Sequence, residues 1–156
     1  MRRRPLARVA ASVAVSAAAV LVMSAPAGAD AVSPSAHIPL QAVADAPLRS
    51  GFVENIHANG PIVFAHEVYV VNGATQNTTF QVSIAVSLND PTCIASPVSF
   101  QTATLTTNAA GNGKAQVVFS PEDAAFLRNA THGAIWTLSA GGVPAYQTDC
   151  TTIVLD

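Results

Sequence analysis

The sequence predicts an all-β fold, two layers of short strands tied by one disulfide, on three observations. Thr79 to Leu88 alternates Phe80, Val82, Ile84, Val86 and Leu88 with Gln81, Ser83, Ala85 and Ser87. A period of two with β-branched and aromatic residues on one side is a strand with one face on a core. Similar short runs recur between turn signals such as Asn59-Gly60-Pro61, Asn72-Gly73, Asn89-Asp90-Pro91 and Gly111-Asn112-Gly113, a punctuation that suits strands and turns better than helices. Cys93 and Cys150 are the only cysteines, and an even pair in a small exported chain reads as a bridge. Closing so long a loop stabilises by roughly 4 kcal/mol on the chain-entropy view, comparable to the net stability of a small domain. A catalytic or metal-binding thiol would need a neighbouring base or further soft ligands, and none is evident.

Residues 1–29 read as an address. Arg2, Arg3, Arg4 and Arg8 precede an uncharged run from Val9 to Met23, and Ala27-Gly28-Ala29 fits the A-x-A cleavage pattern. A cleavable signal peptide follows, with the mature chain starting at Asp30. An uncleaved anchor is the competing reading, but the apolar run is short and Pro26 follows it. The arginine run also invites the twin-arginine route, to which Pro5-Leu6-Ala7 is a loose match. The dominance of arginine over lysine and the abundance of alanine fit GC-rich codons and a bacterial source.

Beyond the signal, Arg49, Lys114 and Arg128 are the only bases against all nine acids of the chain. Phosphate backbones and anionic lipid both require clustered Lys and Arg, so nucleic acid is excluded as a partner and membrane insertion after cleavage is not expected. Both methionines, Met1 and Met23, lie in the signal, which leaves no thioether for a copper site. The length suits one domain, placed at 51–156.

The elements follow in order. Residues 30–50 carry Pro34, Pro39 and Pro47 without a sustained period and are expected to be a flexible lead-in. Gly51 to His57 alternates weakly and forms a first short strand. Ile62 to Val71 is apolar on both faces except at His66-Glu67, which predicts a central strand with a bulge there. Thr79 to Leu88 is next, then a Thr-rich strand from Val98 to Thr106. The Asn- and Gly-rich segment 107–113 tolerates positive φ and predicts a hairpin to Lys114–Phe119. Ser120-Pro121-Glu122-Asp123 has the marks of a helix start, an N-cap Ser, Pro at the first position and acids at the positive dipole end, predicting one or two turns to Arg128. Ala134 to Ala140 and Tyr146 to Leu155 are the last strands, separated by Gly141-Gly142.

About seven short strands in one bridged domain make an immunoglobulin-like β-sandwich the expected architecture, with a closed barrel as the alternative. Trp136 lies close to the last strand and Tyr146 sits four residues before Cys150, so the immunoglobulin hallmarks are met only in part.

Gly73-Ala74, Asn77-Thr78-Thr79-Phe80, Pro91-Thr92-Cys93, Leu105-Thr106-Thr107-Asn108, Gly111-Asn112-Gly113 and Tyr146-Gln147-Thr148-Asp149-Cys150 together resemble a recurring type of small exported bacterial protein without an assigned activity. That resemblance implies export and a disulfide, and carries over no site residues. The Thr-rich strand, the Asn/Gly turn, a tryptophan and a late Asp-Cys-Thr-Thr are also similar to the neocarzinostatin-type apoproteins, sandwiches that hold an apolar chromophore in a cleft. Those proteins have two bridges, whereas this chain has cysteines for one.

For chemistry, His66-Glu67 lacks the second histidine of a zinc-protease helix, since position 70 is Val. His57, His66 and His132, with Glu54, Glu67, Asp123 or Asp149, are the candidate ligands for zinc or copper, against the blander reading of ordinary surface or edge histidines. Tyr69, Trp136 and Tyr146 are candidates for a stacking platform under a flat ligand, although Trp136 keeps phase with Ala134 and Leu138 and so reads first as core. No serine sits in G-x-S-x-G, no acid pair has a glycosidase spacing, and no calcium loop is present. Asn77-Thr78-Thr79 and Asn129-Ala130-Thr131 match the glycosylation sequon but read more simply as turn chemistry. The expectation is a secreted, non-catalytic domain without a cofactor, acting on a protein or envelope component. Its alternatives are a carrier of a small apolar ligand in a cleft and a histidine-based metal protein.

Overall fold

The computed structural model describes residues 35–56, 65–120, 122–123, 125–127 and 130–155. The expected signal peptide and the candidate His57 lie outside them. The fold is all-β and the Cys93–Cys150 disulfide is formed. Nine strands are present among the described residues where about seven were expected. They are β1 Ser35–Ala42, β2 Ser50–Ile56, β3 Ala65–Asn72, β4 Thr79–Ser87, β5 Val98–Thr106, β6 Gly113–Phe119, β7 Ala130–Ala140, β8 Val143–Thr148 and β9 Thr151–Leu155.

The strands run in the order β5-β4-β7-β8-β1-β2-β3-β6, with β9 also on β7, and every pairing is antiparallel. The strands at the two ends of that order, β5 and β6, come side by side without a ladder between them, so the sheet wraps into a near-barrel. Its two arms face each other across one core that takes Val53, Tyr69 and Val71 from β2 and β3, and Phe80, Val82, Ile84, Val86, Trp136 and Leu138 from β4 and β7. The period of two in β4 is fully used: Phe80, Val82, Ile84 and Val86 are buried. Leu88 falls past the strand end and is exposed.

Several expectations are corrected. The presumed lead-in contains β1, whose Ile38 and Leu40 point into the core. Pro39 disguised it, and Pro39 is tolerated because β1 changes partner there, pairing β2 through Ser35–Pro39 and β8 through Leu40–Ala42. The bulge at His66-Glu67 is absent, since β3 keeps one register with both β2 and β6; the shifts fall instead at Val82/Ser83 and Leu138/Ser139. The 98–119 hairpin is replaced by a crossing between arms, β5 pairing β4 and β6 pairing β3. The turn docks on Ala74, whose N–H donates to Gly111 O at 2.9 Å. Gly111 has φ +73°, and an added Cβ would lie 2.2 Å from Ala74 O, so no other residue fits. Finally, the short helix is a single 3-10 turn, Ala125–Leu127, preceded by an exchange in which Ser120 N–H donates to Asp123 Oδ2 and Asp123 N–H to Ser120 Oγ.

The last expected strand is two, β8 and β9, laid end to end along one edge of β7 and interrupted at Asp149-Cys150. The bridge ties that interruption to the β4–β5 loop, with a Cα–Cα separation of 6.0 Å. It joins two loops rather than two facing sheets, unlike the immunoglobulin bridge. The loop presses on Gly133 of β7, where a Cβ would meet Cys93 Sγ at 2.5 Å and Asp90 O at 2.6 Å.

Candidate functional site

One end of the near-barrel holds a pocket, partly open to solvent, lined by Asn55, Ala65, Glu67, Ile84, Phe100, Phe119, Asp123, Leu127 and Ile153. Most of that wall is hydrocarbon. Two of its polar members come from neighbouring strands: Asn55 of β2 stands directly opposite Glu67 of β3 in the ladder, and both face inward because they keep phase with Val53 and with Tyr69 and Val71. Each side chain is only 3% exposed.

Glu67 is held from below. Its Oε2 accepts the Tyr69 hydroxyl and, from across the core, the Trp136 indole N–H at 3.0 Å. The Tyr69 oxygen in turn lies 2.7 Å from Thr102 Oγ1 of β5. Burial pushes the Glu67 carboxyl above the ordinary carboxylate range, with the bonds from Tyr69 and Trp136 pulling the other way. The Tyr69 phenol is pushed well up, first by burial and then by the neighbouring Glu67 charge. No lysine or arginine lines the pocket among the described residues. Arg49 sits at the other end, its N–H on Asn72 O, and Lys114 pairs with Val70 in the outward phase of β3. Asn55 Oδ1 is buried and has no hydrogen-bond partner. An orphaned buried acceptor costs about 1–3 kcal/mol; the other buried side-chain atom without a partner among the described residues is His66 Nε2.

The candidate rings are placed differently from a stacking platform. Tyr69, Trp136 and Tyr146 are each fully buried, so none offers a face to solvent. Tyr69 and Trp136 meet at Glu67. Tyr146 belongs to the opposite end, donating to Pro47 O and accepting from Thr75 N–H, both at 2.9 Å, with its ring 5.3 Å from that of Phe80.

Of the candidate histidines, His66 and His132 are described, and they are not brought together as ligands. His132 points inward and uses both ring nitrogens: Nδ1 accepts from Asn89 N–H at 3.1 Å and Nε2 lies 3.0 Å from Leu127 O. That pattern defines a neutral ring protonated at Nε2, with no lone pair left for a metal. His66 lies in the outward phase of β3, opposite Ile56 and Val118. Among the described residues no three His, Cys, Asp or Glu side chains gather as a metal site.

The sequence reading missed Asn55 altogether and weighed Glu67 only as a metal partner. Both carried a signal, a polar residue standing in the apolar phase of a strand, in Val53-Glu54-Asn55 and in Ala65-His66-Glu67-Val68-Tyr69. No family profile, curated protein or solved structure matches the chain. No helix among the described residues is long and apolar enough to cross a membrane.

Proposed function

We propose that this is an exported, non-catalytic β-domain that holds a small, mostly apolar molecule in the pocket at the end of its near-barrel. The observation that carries the reading is the lining of the pocket, in which the apolar side chains of Ala65, Ile84, Phe100, Phe119, Leu127 and Ile153 outnumber the polar ones of Asn55, Glu67 and Asp123. Concave, largely apolar space with a few polar groups is the ordinary form of a small-molecule site. Export is supported by the arginine-rich start, the apolar run and Ala27-Gly28-Ala29, together with a formed disulfide. Native mass spectrometry of the mature protein, purified from its own culture, tests the reading. An organic mass should travel with the protein and leave on denaturation, and a clean apo mass overturns it.

The surface-interaction reading draws on Leu88, Ile94 and Val98, all exposed in or beside the disulfide-tied loop. Apo protein that captures an envelope component through that loop would favour it.

A further inference from the structure

Strand β1 changes partner at Pro39, and the change leaves a slot. Leu40–Ala42 pairs β8, with Leu40 opposite Thr148, but Ser35–Pro39 departs to pair β2. Had β1 kept its course it would run beside β9, which begins at Thr151 and follows β8 along the same edge of β7. Among the described residues β9 is therefore paired on its β7 side alone, and Ser35–Pro39 on its β2 side alone. Two unpaired strand edges diverge from one apex at Leu40 and Thr148.

A free edge is a row of N–H and C=O groups, and the partner that matches such a row along its length is another extended backbone. The β9 sequence, Thr-Thr-Ile-Val-Leu in one unbroken register, carries none of the lysine, proline or bulge that commonly guards an edge. Ile153 is buried and Val154 exposed, so a strand laid beside β9 has an inward and an outward side. The inward side borders the pocket, because Ile153 lines it from β9 and Asn55, opposite Ala36 of β1, lines it from the other arm. Nine acids against three bases beyond the signal disfavour an acidic occupant.

We infer that the ligand is an extended, uncharged or basic peptide segment of a partner protein, paired through its backbone with the free edge of β9 and turning an apolar side chain into the pocket. This rests on the ligand-holding reading above and names its ligand.

The test titrates the unaltered mature protein with three probes: the peptide Ac-Val-Thr-Val-Thr-Val-Lys-NH2, the same peptide N-methylated at every residue, and cyclohexylmethanol, which is apolar and has no backbone. Calorimetry reads affinity and amide exchange reads the site. The parent peptide should bind at least about tenfold more tightly than its N-methylated form, the scale of two lost backbone hydrogen bonds, and should slow exchange in β9. Equal binding of the two peptides overturns the edge pairing and leaves the ligand-holding reading standing, as does binding of cyclohexylmethanol alone. A tenfold preference that leaves β9 exchange unchanged puts the peptide elsewhere and also overturns the inference. Failure of all three probes to bind overturns both readings together.

Discussion

At the turn end of the near-barrel, Thr107 Oγ1 donates to Thr75 O at 2.6 Å and accepts from Thr78 N–H at 3.0 Å, and Tyr146 bridges Thr75 to Pro47. Asn108 Oδ1 meanwhile takes the N–H groups of Ala110 and Asn112. At the pocket end, Asn55 Oδ1 has no partner and Glu67 is an acid among hydrocarbon walls. Thr107 and Tyr146 are as buried as Asn55 and Glu67, yet the two ends differ in how their polar atoms are met. Fully bonded polar groups specify a shape, whereas an unmet buried acceptor is a cost that the rest of the fold must offset. Stability should therefore concentrate at the turn end and ligand and proton sensitivity at the pocket end.

The largest effect is expected at the turn end. Gly111→Ala places a methyl against Ala74 O and demands positive φ of an L-residue, which should cost about 3 kcal/mol or more in denaturant unfolding. A loss below about 1 kcal/mol would mean that the docked turn does not anchor this end.

Glu67 sharpens the contrast from the other side. Its folded-state pKa is raised by burial above 4.5, so between that value and the raised one the folded protein keeps a proton the unfolded chain has lost. Stability is then fully present below about 4.5, falls as pH rises toward the raised pKa, and stays flat at the lower level above it. Urea unfolding across the acid-to-neutral range should show this descent in the parent and a nearly level profile in Glu67→Gln. A descent that survives the substitution would assign the proton to another group.

The smallest effect belongs to Asp90, which shows that the pocket end is not loosely built throughout. Its Oδ1 accepts from Thr92 N–H and Thr92 Oγ1, and its Oδ2 from Ile94 and Ala95 N–H. Led by the Thr92 hydroxyl, these bonds lower the carboxyl to about 2. The associated stabilisation is present above the ordinary value of 3.8 and lost as pH falls from there to about 2. Asp90→Asn should flatten that acid limb and speed amide exchange at Ile94 and Ala95, leaving exchange at Thr107 unchanged.

How much of this was legible can be judged residue by residue. Phe80 to Val86 declared an inward face because a pleated strand puts alternate residues on opposite sides. Trp136 read as core from its phase with Ala134 and Leu138, and all three are fully buried. The bridge followed from two cysteines in a small chain read as exported. Strand β1 was hidden because Pro39 normally bars a strand interior, and only the change of partner at that residue makes room for it. The 107–113 turn had hairpin chemistry, yet its strands went to different arms, since turn residues fix a reversal of direction and not the ladder that follows.

Local pattern thus determined the class of fold, the inward faces of the strands and the disulfide, because period-two burial and turn chemistry act between near neighbours in the chain. The pocket was decided by tertiary structure alone. Asn55 and Glu67 become a pair only when β2 and β3 are in register, and Glu67 meets Trp136 across 69 residues of sequence only when the two arms close on each other. A polar residue in an apolar phase tells of a buried group, but what that group faces depends on segments whose spacing in the chain says nothing of their distance in space.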